Sequence, residues 1–252
     1  MKRSTKNKIK SVLRSVTDPA ANNYLKIRKQ YSYAPYKMSI YQKILQQAKE
    51  DERIRVGKFE IPESSKDQIN LFLRHDIDTL KCVQNIDLLL ESNIAQSYPA
   101  GVYFLVDDDE YHLGDHKAVA QACKDKGFEV GLHTICYAQD DYLKQFKLET
   151  EKFADEAGFR PATFTIHGLG DERLNIRKSF IRDMIKRHEE FGYSFSDCHK
   201  AFRGYHHVIE DCHMDFAVKK RYIFDDFKAF PSFFKKGQNY LILTHPCYWE
   251  KD

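Results

Sequence analysis

Apolar runs that end in Asp or His recur along this chain. The clearest spans residues 71–78 and reads Leu-Phe-Leu-Arg-His-Asp-Ile-Asp. Side chains alternate across a strand with a period of two, so Asp76 and Asp78 share one face while His75 and Ile77 take the other. Such a run predicts a buried parallel strand that delivers side chains to a site. The alternative is a strand end whose Asp residues cap the next helix.

Strand and helix patterns alternate along most of the remaining chain. Apolar residues three or four apart predict helices, and short continuous apolar runs predict strands. The predicted helices cover residues 39–50, 79–93, 116–126, 141–157 and 176–191. The predicted strands cover residues 54–61, 71–78, 101–106, 128–133, 162–167, 193–197 and 240–245. Thr79 is the expected N-cap of the second helix and Gly158 the expected C-cap of the fourth. This alternation predicts an α/β fold with a parallel sheet curled into a barrel.

Two stretches do not follow the alternation. Residues 1–35 mix basic and small polar residues with tyrosines, so we expect an arm ahead of one domain at residues 36–252. Its basic cluster is more typical of a solvated face than of a contact with nucleic acid or membrane. Residues 198–238 are rich in histidines and aromatics but weakly periodic. We expect an extended insert there, with short strands and a helix near residues 230–236.

Composition narrows the class of protein. The 252 residues suit one large domain, and 40 Lys and Arg against 37 Asp and Glu give a net charge of +3. That balance gives no reason to expect a nucleic-acid partner. No secretory signal and no run of 18 apolar residues is present, so no membrane span is expected. The six cysteines are widely spaced and show no C-x-x-C pair. We therefore expect a cytoplasmic protein with six reduced thiols.

Polar residues at the strand ends are the candidate site. In barrel and open α/β folds, the C-terminal ends of parallel strands converge on one site. A lone His is usually a hydrogen-bonded core residue, but several unpaired polar groups would each cost about 1–3 kcal/mol without a shared purpose. A carboxylate with imidazoles is the ligand set of a zinc-like site, and a remaining carboxylate and His could serve as general base and acid. The candidates are Asp76, Asp78, His133, His167, Asp197 and His245.

Three segments resemble the first, second and last motifs of the polysaccharide deacetylases, the NodB-homology group or carbohydrate esterase family 4. They read Arg-His-Asp-Ile-Asp at residues 74–78, Glu-Val-Gly-Leu-His-Thr at residues 129–134, and Leu-Ile-Leu-Thr-His-Pro at residues 241–246. The resemblance implies a distorted (β/α)7-type barrel with an N-terminal extension. It also implies a divalent metal, with zinc the first choice and cobalt or nickel the alternatives, and hydrolysis of an N-acetyl or O-acetyl group on a sugar.

The resemblance also assigns roles by position. It makes Asp76 the general base and His245 the general acid, with Asp78 and His133 as metal ligands. Tyr137 stands where the family has a second His. We therefore predict His167 as the third metal ligand, with Asp197 as the alternative. The family's third motif usually carries an Arg that orients the base, and here Arg160 lies too early in that segment to match it.

The predicted function is a metal-dependent hydrolase that removes an acyl group, most often N-acetyl, from a sugar, nucleotide-sugar or glycan. The motif combination resembles the branch linked to bacterial surface-polysaccharide biosynthesis. The first alternative is a catalytically impaired sugar-binding protein of the same fold. The others are an unrelated metal-dependent lyase or isomerase on a barrel and an adaptor that recruits partners through residues 1–35. Stoichiometric zinc, nickel or cobalt after purification would favour the enzyme over the sugar-binding protein.

Overall fold

The computed structural model describes residues 36–58, 66–107, 109–167, 174–196, 205–211 and 234–252. The strands are β1 (Tyr36–Lys37), β2 (Ile54–Val56), β3 (Ile69–Ile77), β4 (Gly101–Phe104), β5 (Glu129–Thr134), β6 (Thr163–Ile166), β7 (Phe195–Ser196), β8 (Tyr205–Glu210), β9 (Asn239–Thr244) and β10 (Trp249–Glu250). The α-helices are α1 (Met38–Glu50), α2 (Leu80–Gln96), α3 (Lys117–Asp125), α4 (Tyr142–Ala157) and α5 (Leu174–Arg187). Short 3₁₀ helices lie at Leu113–His116, Cys136–Ala138, His188–Phe191 and Pro246–Tyr248.

The main sheet is parallel and follows the order β7-β6-β5-β4-β3-β9-β8, while β2 pairs with the first residues of β3. Along this order, β9, the strand of this sheet that comes last in the sequence, pairs with β3, the early central strand. The strands therefore follow one another around the sheet as in a barrel, and within the described residues only the β7 to β8 step is unpaired. This order confirms the predicted α/β class and the distorted seven-stranded barrel.

The central strand is β3, and every one of its residues is buried. Its near-continuous apolar sequence suits a strand that has neighbours on both edges and α2 packed against it. Helix α2 begins at the predicted cap, because the Thr79 side chain accepts a hydrogen bond from the Cys82 backbone N–H. Helix α4 ends at Gly158, whose φ of 80° is in the left-handed region that glycine tolerates. Both capping predictions are confirmed.

Several predicted strands and helices have different boundaries in the structure. The strand predicted at residues 54–61 covers only Ile54–Val56, and residues 59–65 lie outside the described ranges. The helix predicted at 176–191 begins at Leu174 and becomes 3₁₀ after Arg187. Within the expected insert, residues 205–210 form β8 beside β9. Residues 234–237 form coil and a turn, so the predicted helix near 230–236 is wrong in that part. The predicted arm at 1–35 lies outside the described residues.

Two other predictions concern the membrane and the thiols. In the part of the chain that the structure describes, no helix is long and apolar enough to cross a bilayer. Cys82, Cys123, Cys136 and Cys247 are free thiols. Cys198 and Cys212 lie outside the described ranges, so six reduced thiols stay a prediction.

Candidate active site

The carboxyl ends of the parallel strands bring most of the candidate residues together. Asp76 lies near the end of β3 and Asp78 directly after it. His133 lies near the end of β5, while His167 and His245 follow β6 and β9. Asp197, the alternative third ligand, lies outside the described residues. The sheet thus brings together side chains that are far apart in the sequence.

The centre of this group is a cluster of Asp78, His133 and His167, whose potential ligand atoms all lie within 4.8 Å of one another. His133 Nε2 is 3.3 Å from Asp78 Oδ1, and His167 Nε2 is 3.5 Å from Asp78 Oδ2. Ligand atoms of a tetrahedral site with bonds of about 2.1 Å lie about 3.4 Å apart. Asp78 Oδ1 is also buried and lacks a hydrogen bond of good geometry. The donor types, their spacing and this unsatisfied oxygen fit a divalent cation.

The imidazoles keep Asp78 ionised. Burial by itself raises the pKa of the Asp78 carboxyl, but His133, His167 and His245 outweigh it and hold that pKa far below its usual range. His133 is oriented by Thr165 of β6, because His133 Nδ1 lies 2.8 Å from Thr165 Oγ1. This contact leaves Nε2 facing Asp78, as a metal-ligating histidine requires.

Arg74 holds Asp76 beside the cluster. Arg74 Nε donates to Asp76 Oδ1 at 2.6 Å and Nη2 donates to Oδ2 at 2.5 Å, with both side chains buried. Burial raises the pKa of the Asp76 carboxyl, but Arg74 and, after it, His133 outweigh burial and lower the pKa below its usual range. Asp76 Oδ2 lies 3.4 Å from His133 Nε2. Asp76 is therefore an ionised carboxylate in a fixed orientation next to the cluster.

Sequence reasoning missed the role of Arg74. Arg160, which lies too early in its segment to match the family's orienting Arg, donates through Nη2 to the backbone oxygen of Phe191 at 2.9 Å. The signal was present, because Arg74 is two residues before Asp76 and therefore on the same face of β3. A bidentate Arg–carboxylate pair at that spacing is the arrangement the structure shows.

Asp211 holds His245 next to Asp78. Its Oδ1 lies 2.7 Å from His245 Nδ1, and its Oδ2 accepts from the His245 backbone N–H and from Trp249 Nε1, each at 2.7 Å. His245 Nε2 is then 3.4 Å from Asp78 Oδ2. Asp211 was missed because it lies in the weakly periodic region. No strand was predicted at residues 205–210, so the place of Asp211 directly after β8 could not be recognised from the sequence.

His75 is a core residue rather than part of the site. Its Nδ1 lies 2.6 Å from Thr244 Oγ1, and its Nε2 lies 2.9 Å from Asn93 Nδ2. Asn93 Oδ1 in turn accepts from the Tyr41 hydroxyl at 2.8 Å. Burial is the main reason that the pKa of His75 falls to about 3, so the imidazole is neutral. As the strand period predicted, His75 lies on the face opposite Asp76.

Glu149 of α4 supports the segment that follows β5. Its Oε2 accepts from the Thr134 hydroxyl at 2.5 Å and from the Ile135 backbone N–H at 3.3 Å. Burial raises the pKa of Glu149 to about 7, although these hydrogen bonds lower it. The Glu149 carboxyl therefore fixes the backbone next to His133. Because its pKa is higher in the folded chain than the ordinary value of 4.5, folding favours the protonated carboxyl over the ionised one.

We expect Glu149→Gln to become more stable relative to the natural protein as pH rises. The ordinary pKa of 4.5 is raised to about 7 on folding, so this carboxyl contributes stability that is complete below about pH 4.5 and lost as pH rises through 7. The free energy of unfolding of Glu149→Gln minus that of the natural protein should rise by up to about 3 kcal/mol between pH 4.5 and 8. Urea titrations at several pH values measure it, with the exposed Glu151→Gln on the same helix as control. A difference independent of pH would contradict the assignment.

Comparison with known proteins finds similarity among solved structures. No family model and no curated protein matches the sequence. The crystal structure of the polysaccharide deacetylase Bc1974 from Bacillus cereus is similar to this chain, with a TM-score of 0.43 and 13% identity. The match covers 71% of this chain and 79% of that chain. At this TM-score the similarity by itself assigns neither a fold nor a function to this chain.

Proposed function

We propose that this protein is a metal-dependent hydrolase that removes an acyl group, in the first place N-acetyl, from a carbohydrate. The observation that supports it most is that two candidate proton-transfer groups adjoin the candidate metal ligands. The Asp76 carboxylate is hydrogen-bonded to Arg74, and the His245 imidazole is hydrogen-bonded to Asp211. Both groups lie next to the cluster of Asp78, His133 and His167. Base, candidate metal ligands and acid are the parts that acyl hydrolysis needs.

Asp78, His133 and His167 would hold the cation. When bound, a divalent ion such as zinc supplies Lewis acidity that activates water and polarises a carbonyl oxygen. Cobalt and nickel are also compatible with one carboxylate and two imidazoles. With Asp78 ionised and His133 Nε2 directed at it, the protein needs little rearrangement to bind such an ion.

Asp76 is the proposed general base. Its low pKa keeps it ionised at neutral pH, so it is able to accept a proton from the attacking water. Both of its oxygens bind Arg74, which keeps the carboxylate from turning toward the ion to become a further ligand. Its Oδ2 lies 3.4 Å from His133 Nε2, so the carboxylate adjoins the residues that would hold the ion.

His245 is the proposed general acid. Asp211 accepts from Nδ1, and its negative charge stabilises the protonated imidazole. The opposite nitrogen, Nε2, faces Asp78 and is able to give its proton to the leaving nitrogen or oxygen. Pro246 restricts the His245 backbone to extended conformations, and the observed φ of −117° and ψ of 113° agree. The dedicated partner of each proton-transfer group favours catalysis over sugar binding alone.

An acetate-release assay tests the proposal. Acetylated amino sugars, oligosaccharides and nucleotide-sugars are supplied with zinc, cobalt or nickel. Asp76→Asn and His245→Ala should each lower kcat by about 10²-fold or more, the usual size of an acid or base contribution, and leave metal affinity nearly intact. The exposed His112→Ala serves as control. Full activity of His245→Ala would contradict the acid role, and loss of metal in Asp76→Asn would show that the two carboxylates have exchanged roles.

The biological setting is the finer part of this proposal. The resemblance of the motifs to the surface-polysaccharide branch supports a substrate made during the biosynthesis of such a polymer. Widely spaced cysteines without a paired motif support a cytoplasmic location. Nucleotide-sugars and short lipid-free glycans are for that reason the first substrates to assay.

A further inference from the structure

Tyr137 contacts the backbone of a proposed metal ligand. This buried residue lies on the 3₁₀ helix Cys136–Ala138 that follows β5, and its hydroxyl donates to the backbone carbonyl of His167. The His167 backbone N–H donates to Thr134 O at 3.0 Å. Both backbone polar groups of His167 are therefore bonded to the end of β5 and the helix after it.

Among the described residues, the ring of His167 lacks the support that His133 has. Metal-ligating histidines usually bond through the second ring nitrogen, which fixes the direction of the ring. His133 Nδ1 has Thr165 for this purpose. His167 Nδ1 is buried and has no hydrogen-bond partner among the described residues, while its Nε2 faces Asp78. The direction of the His167 ring then depends on how the backbone that carries it is held.

Strand β6 ends at Ile166, so His167 is the first residue beyond the strand. The Tyr137 hydroxyl bonds the carbonyl at that point and so restricts the rotation of the peptide that follows. Tyr137 itself stands on a well-held segment, because Thr134 and Ile135 both bond to the buried Glu149. The Cys136 backbone N–H also donates to Thr134 Oγ1 at 3.1 Å.

We propose that Tyr137 is a positioning residue: it fixes the His167 backbone so that the imidazole completes the metal cluster with Asp78 and His133. This inference rests on the proposed metal site. It explains why the hydroxyl of the buried Tyr137 bonds the backbone oxygen of a proposed metal ligand. The residue touches neither substrate nor ion and acts through His167.

The test is the zinc affinity of Tyr137→Phe in the full chain, measured by competition with a chromophoric chelator. Loss of such a supporting contact typically lowers metal affinity by about 10–100-fold. The ligand-field absorption of the cobalt form should change as well, because one ligand is less well oriented. Unfolding of the metal-free protein is recorded in parallel to separate affinity from stability.

Tyr193→Phe is the matched control. Tyr193 is equally buried, and its hydroxyl lies 2.8 Å from Thr150 Oγ1, away from the cluster. Each variant thus loses one buried hydroxyl contact, but only Tyr137→Phe should lose metal affinity. Equal zinc affinities for the natural protein and Tyr137→Phe would overturn the positioning role. Failure of the natural protein to bind zinc, cobalt or nickel would overturn the proposed site itself.

A double-mutant cycle shows whether Tyr137 acts through His167. His167→Ala alone should lose at least as much affinity as Tyr137→Phe alone. The double variant should then be no weaker than His167→Ala, because nothing remains for Tyr137 to position. Additive losses would mean that Tyr137 acts on the site by another route and would overturn the proposal.

Discussion

Asp78→Ala is expected to abolish stoichiometric binding of zinc, cobalt or nickel, and with it all acyl hydrolysis. Asp78 is the carboxylate of the candidate cluster, and His133, His167 and His245 all lie within 3.5 Å of its oxygens. Loss of an outer supporting contact already lowers metal affinity by about 10–100-fold, so loss of a ligand should exceed about 100-fold. Elemental analysis measures the metal content, and titration calorimetry measures the metal affinity.

Asp107→Ala is the control for Asp78→Ala. Asp107 is an exposed carboxylate that also pairs with a histidine, since His112 Nδ1 lies 2.8 Å from its Oδ1. It lies outside the cluster, so its removal should leave the metal content unchanged. Stoichiometric zinc in purified Asp78→Ala would show that the ion is held elsewhere and would contradict the proposed ligands.

Arg74→Met is expected to destabilise the fold by about 3–5 kcal/mol, because it leaves Asp76 as a buried charge without its partner. It should also lower kcat by about 10²-fold or more, since Asp76 loses both orienting hydrogen bonds. Urea unfolding of the metal-free protein measures the first effect, and the acetate-release assay measures the second.

Arg53→Met provides the comparison. Arg53 bonds Asp51 through the same pair of nitrogens, at 2.8 and 2.6 Å, but this pair lies at the surface. Its removal should cost far less stability than the loss of Arg74, because water screens an exposed ion pair. The double variant Arg74→Met, Asp76→Asn should recover part of the stability lost in Arg74→Met, because no carboxylate is left unpaired. Its kcat should still be lower than that of the natural protein by about 10²-fold or more. A loss in Arg74→Met no larger than that in Arg53→Met would contradict the buried pair.

Short-range rules account for what the sequence alone determined. The period of two along a strand separated Asp76 and Asp78 from His75, and the structure keeps that separation. The capping preferences of Thr and Gly located the start of α2 at Thr79 and the end of α4 at Gly158. Each of these features depends on residues within one strand or one turn, where covalent geometry and local hydrogen bonding decide the outcome.

The polar strand ends were an intermediate case. The alternation of strands and helices predicted a parallel sheet, and a parallel sheet brings its carboxyl ends to one edge. This was enough to select Asp78, His133, His167 and His245 as neighbours. It could not say which nitrogen faces which oxygen, because that depends on the pairing of each strand with the next, such as Thr134 with Ile166.

The remaining features were decided by tertiary structure alone. Asp211 bonds His245 across 34 residues of sequence, and it does so because β8 pairs with β9. His75 is a neutral core residue because it is buried. Its ring nitrogens contact Thr244, which is 169 residues away, and Asn93. Tyr137 reaches His167 only because β5 and β6 are adjacent. No local pattern encodes such contacts, since each arises from strand order, and strand order is set by how the whole apolar core packs.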